Sequence, residues 1–226
     1  MIMKKMMMLI AAVAIAASAC QKVEPLTKDS QQIVYVTADA GIHSFGVTAE
    51  GEWSVVMDEE AKRWCEFSGP SYGSGQGAFS VKYDANLFEG VRRGLRRQAK
   101  FTVLTDDKFT SVTILFRQSG LAPHFEFRQD AYEIYANETE AAIAINSNLS
   151  VYEVPQISYS VEGNWISGSS LSPNGSEVMV YCSANSAGAP RNATIKISYT
   201  DCWGETFTDT ATITQSDKVQ TPEVTE

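Results

Sequence analysis

One tryptophan of this sequence lies where it could bind a sugar. Trp203 falls in residues 201–205, between two strongly alternating segments, so we expect it at the tip of a loop. An exposed indole stacks on the apolar face of a sugar ring, and the acids beside it could accept hydrogen bonds from sugar hydroxyls. The alternative is that the indole folds down over its own hairpin.

A run of arginines in an otherwise acidic chain is the second candidate. Arg92, Arg93 and Arg96 fall in one predicted loop, and guanidinium groups pair with sulfate, carboxylate or phosphate through bidentate hydrogen bonds. They could hold a sulfated or uronic glycan, or an acidic protein partner. Tyr72, in a flanking loop, could add stacking surface. The alternative is a solvated loop that neutralises nearby acids.

The titratable residues give little support to an enzyme. The two histidines, His43 and His124, have no neighbouring pattern typical of a catalytic triad. Acids at 58–60 and 106–107 could form a glycosidase pair or a calcium site, but turns and solvated surface explain them more simply. We expect no catalytic residue, no metal and no cofactor. The net charge of −9 argues against nucleic acid as a partner, because an acidic protein repels phosphate backbones.

Three cysteines follow the N-terminal region, at positions 65, 182 and 202. An odd number of cysteines cannot all pair within one chain. A bridge between Cys182 and Cys202 is conceivable in an oxidising compartment, but buried free thiols are the interpretation we prefer. None of the three has the spacing of a metal site.

The N-terminal segment predicts export and lipid attachment. Two lysines precede an apolar run over residues 6–17, which is too short for a stable membrane span. The run ends in small residues before Cys20, which resembles the lipobox of bacterial lipoproteins, where the cysteine thiol carries a diacylglycerol. The alternative is an ordinary signal peptide cleaved after residue 19. We therefore predict a signal peptide over 1–19 and a lipid on Cys20. The protein would lie in the cell envelope, held at the outer membrane by its lipid alone, on the periplasmic or the surface face.

The remaining sequence repeats itself with an offset of about 97 residues, which is the size of a whole small domain. Three polar positions recur, in the order Asn, Arg and Gln: Asn86, Arg97 and Gln118 in the first repeat, and Asn185, Arg191 and Gln215 in the second. We interpret these positions as structural. The asparagine caps a loop, the arginine holds the loop carbonyls and the glutamine closes the last strand.

Short apolar segments separated by turn residues predict strands throughout both repeats. Alternation at Val112, Ile114 and Phe116, for example, marks one buried face. About seven strands per repeat predict an all-β protein made of two tandem immunoglobulin-like β-sandwich domains. The predicted segments after the signal peptide are a lipidated cysteine and flexible stalk over 20–32, a first domain over 33–119, a linker over 120–125, a second domain over 126–216 and a disordered tail over 217–226.

These elements together resemble the BACON domain, a β-sandwich whose name abbreviates a Bacteroidetes-associated, often N-terminal, carbohydrate-binding module. Each repeat has a tryptophan near its middle, a glycine-rich segment that we expect to form a turn, a strand ending in asparagine, an arginine before an alternating strand, and a final strand ending in glutamine. The first repeat matches better, because Leu149 stands where the first repeat has Trp53. We expect Trp53, Trp64 and Trp165 in the two cores.

The resemblance implies two tandem copies in a lipoprotein of a Gram-negative, glycan-using bacterium. We expect a non-catalytic, membrane-anchored protein that acts as a glycan-binding or glycan-assembly module. Its partners would be a polysaccharide or mucin-type glycan, or other envelope proteins. The alternative is a structural or protein-interaction spacer without affinity for glycan.

Overall fold

The computed structural model describes residues 31–88, 90, 92–106 and 111–220. The predicted signal peptide, the lipid site at Cys20, almost all of the stalk and the last six residues of the tail lie outside the described residues. Among the described residues, no helix is long and apolar enough to cross a membrane.

The described residues of the first repeat form eight strands, two of which are only two residues long. In chain order these strands are β1 (Gln31–Val36), β2 (Gly41–Met57), β3 (Cys65–Phe67), β4 (Tyr72–Tyr83), β5 (Leu87–Phe88), β6 (Arg92–Arg93), β7 (Arg97–Thr105) and β8 (Ser111–Gln118). A short 3-10 helix at Ala61–Arg63 leads into β3.

The second repeat also contains eight strands. In chain order these strands are β9 (Phe125–Phe127), β10 (Ala131–Ile134), β11 (Glu140–Ser147), β12 (Ile157–Glu162), β13 (Ile166–Leu171), β14 (Glu177–Cys182), β15 (Arg191–Thr200) and β16 (Thr206–Gln215). A 3-10 helix at Val154–Gln156 precedes β12.

The long strand β2 connects the two layers of the first sandwich. It pairs with β4 from Gly41 to Ser54, with a register shift between Thr48 and Glu52, and then with β7 from Trp53 to Met57. The strand order is therefore β1-β8-β7-β2-β4-β3, with β1 parallel to β8. A bulge of this kind bends a strand, which lets one strand serve both layers.

The second sandwich consists of two four-stranded sheets, ordered β10-β16-β15-β12 and β13-β14-β11-β9. The two repeats share one strand pairing: β10 pairs in parallel with β16, the final strand of the second repeat, as β1 does with β8, the final strand of the first. The prediction of an all-β protein with two immunoglobulin-like sandwiches is confirmed. The exact limits predicted for the two domains stay a prediction.

Each sandwich has its own hydrophobic core, built from strands that alternate buried and exposed residues. Val112, Ile114 and Phe116 of β8 point inward, as their spacing predicts. All three tryptophans expected in the cores are buried: Trp53, Trp64 and Trp165.

The glycine-rich segment of the first repeat is not the turn that we expected. Gly73, Gly75 and Gly77 lie inside β4, where a β-carbon on Gly73 would come within 2.5 Å of the Trp53 indole and one on Gly77 within 2.7 Å. The indole therefore packs directly on the backbone of β4, which requires glycine at these two positions.

The start of the predicted tail is held against the second repeat. The backbone carbonyl of Lys218 accepts a hydrogen bond from the amide of Ala136 at 2.8 Å. The Gln220 amide donates to the side chain of Asn137 at 3.0 Å. The expectation of a disordered tail is therefore wrong for residues 217–220.

Candidate functional site

The repeated asparagines hold the loop that follows them in both repeats. The side-chain amide of Asn86 donates to two backbone carbonyls at 2.7 and 2.9 Å, and that of Asn185 donates to two at 2.8 and 2.9 Å. Both side chains are buried. Because buried polar groups need partners, these contacts explain why asparagine recurs, and they confirm the structural interpretation.

The repeated arginine and glutamine form a matched pair. In the first repeat the Arg97 Nε donates to the side-chain oxygen of Gln118 at 2.8 Å, and its guanidinium lies 4.2 Å from the centre of the Trp64 ring. Arg97 also donates to the backbone carbonyl of Asp84 at 2.9 Å. Burial lowers the pKa of Arg97, and stacking on an aromatic face helps to compensate for lost hydration.

The second repeat shows the same arrangement. Arg191 Nε donates to the Gln215 side chain at 2.8 Å, and the guanidinium lies 4.8 Å from the centre of the Trp165 ring. Gln118 and Gln215 are both fully buried. The arginine and glutamine positions are therefore structural in both repeats, as the sequence predicts.

Arg96 belongs to a contact between the two repeats rather than to an exposed loop. Its guanidinium is ion-paired with Asp201 and Glu205 of the β15–β16 hairpin and lies 4.7 Å from the centre of the Trp203 ring. The Arg96 side chain is 13% exposed and that of Asp201 only 2%. This placement corrects the expectation that Arg96 is a free loop cation beside Arg92 and Arg93.

Trp203 lies in the same contact, which we call the junction (Arg96, Arg117, Asp201, Trp203 and Glu205). The half-buried indole donates from Nε1 to the backbone carbonyl of Arg97 at 3.3 Å. The backbone carbonyl of Trp203 accepts a hydrogen bond from the Arg117 guanidinium at 3.1 Å. Its ring meets Tyr35 edge-on at 5.6 Å between centres. The indole therefore packs on the first repeat, neither at a free loop tip nor over its own hairpin, and its role as a ligand platform stays a prediction.

The linker adds to this contact. The Leu121 amide donates to the Gly94 carbonyl at 2.8 Å, and the Leu121 carbonyl accepts from the Arg96 amide at 3.0 Å. Asp201 meanwhile shapes the hairpin tip by accepting the amides of Trp203 and Glu205 at 3.0 and 2.9 Å. The predicted linker is thus attached to the first repeat, and the two sandwiches meet through ordered polar contacts.

Arg92 and Arg93 lie apart from the junction. They form β6, which pairs with β5 in a two-stranded ribbon, and both residues are exposed. The structure therefore leaves Arg92 and Arg93 of the predicted cluster exposed and places its third residue, Arg96, in the junction. The ligand-binding role predicted for Arg92 and Arg93 stays a prediction.

Tyr72 lies in an open groove on the outer face of the first sandwich. Its side chain is 70% exposed at the start of β4. Strand pairing puts Ser54 of β2 opposite Tyr72 and opposite Leu104 of β7, so these three form one exposed row. Glu52 lies two residues before Ser54 on β2, and Asp106 lies two residues after Leu104, directly beyond the end of β7; both line the groove. The groove has a volume of about 460 Å³ and we call it the Tyr72 groove.

The Tyr72 groove combines an aromatic ring with carboxylates. The charged residues that line it within the described part of the chain, Glu52 and Asp106, are both acids. They are adjacent, because Asp106 donates its amide to the Glu52 carbonyl at 3.0 Å and accepts the Glu52 amide on its carboxylate at 3.3 Å. The sequence suggested Tyr72 but missed its neighbours, because only strand register reveals that 52, 72 and 106 share one face.

The thiols among the described residues are unpaired, as we preferred, and Cys182 is not bridged to Cys202. Burial raises the pKa of Cys65 to about 12 and also raises the pKa of Cys182. Cys202 is exposed as a residue, but its sulfur points at the Arg96 carbonyl at 3.4 Å and burial raises its pKa to about 11. Thiols with such pKa values are poor nucleophiles at neutral pH.

No group of three or more potential metal ligands occurs in the described part of the chain.

Comparison with known families gives one match. Residues 157–216 match the model of the BACON family, described as a putative binding domain, N-terminal. The matched segment lies in the second repeat, whereas the sequence led us to expect the better match in the first. A second copy over the first repeat stays a prediction. No curated protein matches the chain in sequence.

Solved structures that resemble parts of the chain include the following three. The Bacteroides ovatus GH5 xyloglucanase in complex with a XXXG heptasaccharide is 20% identical over 39% of this chain and 17% of its own, with a TM-score of 0.32. Mouse clustered PcdhgC3 EC1-3 is 10% identical over 82% of this chain and 65% of its own, with a TM-score of 0.32. The titin domains z1z2 in complex with telethonin are 10% identical over 86% and 97%, with a TM-score of 0.34. The chain spans less than two thirds of the length of the first two.

Proposed function

We propose that this chain is a non-catalytic binding protein of the cell envelope, anchored to the outer membrane by a lipid on Cys20, which binds glycan at the Tyr72 groove. The observation that carries this proposal is the exposed row of Tyr72, Ser54 and Leu104 beside two carboxylates. The match of the second repeat to a family of putative binding domains supports a binding function for the protein.

The chemistry of the Tyr72 groove suits a sugar. An exposed tyrosine ring offers an apolar face and a hydroxyl, as aromatic residues at binding surfaces commonly do. The carboxylates of Glu52 and Asp106 are acceptors only, so they pair with hydroxyl donors. The groove is open and its floor is a paired sheet, so an extended chain could lie across three strands without rearrangement of the backbone.

A glycan array with the soluble protein from residue 21 onward tests the proposal. We expect binding to at least one glycan and at least a tenfold loss for Tyr72→Ala, which is about 1.4 kcal/mol of binding free energy. Because Tyr72 is exposed, its removal should leave the melting temperature nearly unchanged. Tyr152→Ala is the matched control, because Tyr152 is 74% exposed on the second repeat and should not affect binding.

The second candidate function is a spacer or protein-interaction lipoprotein without glycan affinity. The junction favours it, because ordered contacts between the sandwiches would hold a partner at a set distance from the membrane. If the protein binds none of the mammalian, plant and microbial glycans on the array, this alternative is favoured over the first.

The lipid anchor is tested separately. Cys20→Ser should abolish labelling by a clickable fatty acid and release the protein from the membrane fraction, since lipid chains would provide the attachment. Labelling that persists in Cys20→Ser would refute the lipobox interpretation. Protease shaving of intact cells would then show whether the anchored protein faces the surface or the periplasm.

A further inference from the structure

The charge of the Tyr72 groove sets a limit on its ligand. Among the described residues, Glu52 and Asp106 are the charged ones that line it; Glu52 lies on β2, Asp106 directly follows β7, and both are exposed. The Asp106 amide donates to the Glu52 carbonyl at 3.0 Å, and the Asp106 carboxylate accepts the Glu52 amide at 3.3 Å, so the two residues are adjacent at one end of the groove. A ligand bound on Tyr72 therefore lies beside two carboxylates, of which that of Asp106 is held in place by the Glu52 amide.

Two arginines that could attract an anion are engaged by the fold, and the exposed Arg92 and Arg93 do not line the groove. Arg96 is enclosed by Asp201, Glu205 and Trp203, and Arg97 is held by Gln118. Neither guanidinium lines the groove. Among the residues that the structure describes, the charges that line the groove are therefore those of the two acids, in a chain that carries a net charge of −9.

We propose that the Tyr72 groove takes uncharged glycans and excludes sulfated or uronic ones, with Glu52 and Asp106 as the specificity-determining residues. The inference rests on the proposed function. The two carboxylates accept hydrogen bonds from the hydroxyls of a neutral sugar, as acceptors without a proton of their own. A sulfate or carboxylate placed against these two carboxylates would receive no hydrogen bond from them and would be repelled by both.

Matched glycans provide the test. A panel of neutral polysaccharides (a β-glucan, a galactomannan and a xylan) is run in affinity gel electrophoresis, each beside the same polysaccharide after chemical sulfation. The wild-type protein should bind a sulfated form at least tenfold more weakly than its neutral parent. This difference in affinity between the neutral and the sulfated form, which we call the gap, should narrow as the salt concentration is raised, because salt screens exposed charges.

The double variant Glu52→Gln/Asp106→Asn identifies the residues responsible. Both replacements keep the shape and an acceptor oxygen, so the hydrogen bond from the Glu52 amide can persist and the melting temperature should hold. The affinity for the neutral glycan should fall by only a few fold. The ratio of the affinities for the neutral and the sulfated form should shrink to less than about threefold. Glu133→Gln/Glu140→Gln, on the second repeat, removes the same net charge and should leave the gap unchanged.

Four outcomes would overturn the inference. Equal or tighter binding of sulfated glycans by the wild type would show that the acids do not select, while glycan binding itself would stand. An unchanged gap in the groove variant, or the same shrinkage in the control variant, would assign selection to other residues or to overall charge. Failure to bind any member of the panel, and any glycan on the array, would refute the proposed function along with the inference.

Discussion

Removal of Arg96 should destabilise the protein, although the residue lies in what the sequence presents as an exposed arginine cluster. In the structure its guanidinium is ion-paired with Asp201 and Glu205 and stacks on Trp203. Arg96→Ser therefore leaves the Asp201 carboxylate, whose side chain is 2% exposed, without its cation. A buried charge without a partner is far more costly than a lost surface pair.

The size of the effect follows from the burial of each partner. Loss of one member of a buried pair costs about 3–5 kcal/mol. The pair with Glu205 adds little, because that side chain is 58% exposed and surface pairs contribute about 0–1 kcal/mol. Asp201 keeps two backbone hydrogen bonds at the hairpin tip, which offset part of the loss. We therefore expect a decrease in the free energy of unfolding of about 3 kcal/mol, at the lower end of that range.

Urea unfolding measures this change, and tryptophan emission reports the junction itself. Arg96→Ser should lower the unfolding midpoint and shift the emission to longer wavelength, since Trp203 loses its guanidinium cover. Arg93→Ser is the matched control, because Arg93 is an exposed arginine on β6. If Arg96→Ser and Arg93→Ser have the same midpoint as the wild type, the junction does not contribute to stability and our reasoning about it is wrong.

Two further predictions concern positions that the fold holds fixed. Arg97→Ser and Arg191→Ser should each lower stability by about 1–3 kcal/mol in urea unfolding, because each leaves a buried glutamine oxygen without its donor. An Arg97→Ser protein that keeps its stability but loses ligand would show that this residue is functional instead. Gly73→Ala should cost about 1–3 kcal/mol in thermal unfolding, because its β-carbon would lie 2.5 Å from a buried indole. Gly168→Ala, where the nearest atom is 3.8 Å away, should cost less, and equal losses would contradict the packing argument.

The sequence predicts the fold well because its signals are local or repeated. Alternation over β8 marks a buried face without any knowledge of its partner strands. The recurrence of Asn, Arg and Gln in both repeats indicates that these residues belong to the fold, and the hydrogen bonds of Asn86 and Asn185 show how. Two instances of one arrangement gave a firmer prediction than either would alone.

The candidate site was harder to predict because it depends on contacts distant in sequence. Trp203 and Arg96 are more than a hundred residues apart, and nothing in the segment around either one indicates that they meet. Glycines such as those at positions 73 and 77 are typical of turns, yet here they are required because the indole of Trp53, from another strand, packs on the backbone at both positions. The groove likewise exists only once the register places Glu52 beside Asp106.

The most direct test of glycan binding at the Tyr72 groove is amide chemical-shift mapping by NMR with a neutral oligosaccharide selected on the array. We predict that the largest shifts fall on Ser54, Tyr72 and Leu104, the exposed row across β4, β2 and β7. We also predict that these shifts disappear in Tyr72→Ala. Shifts that cluster instead around Trp203 or Arg92, or that persist unchanged in Tyr72→Ala, would contradict binding at this groove.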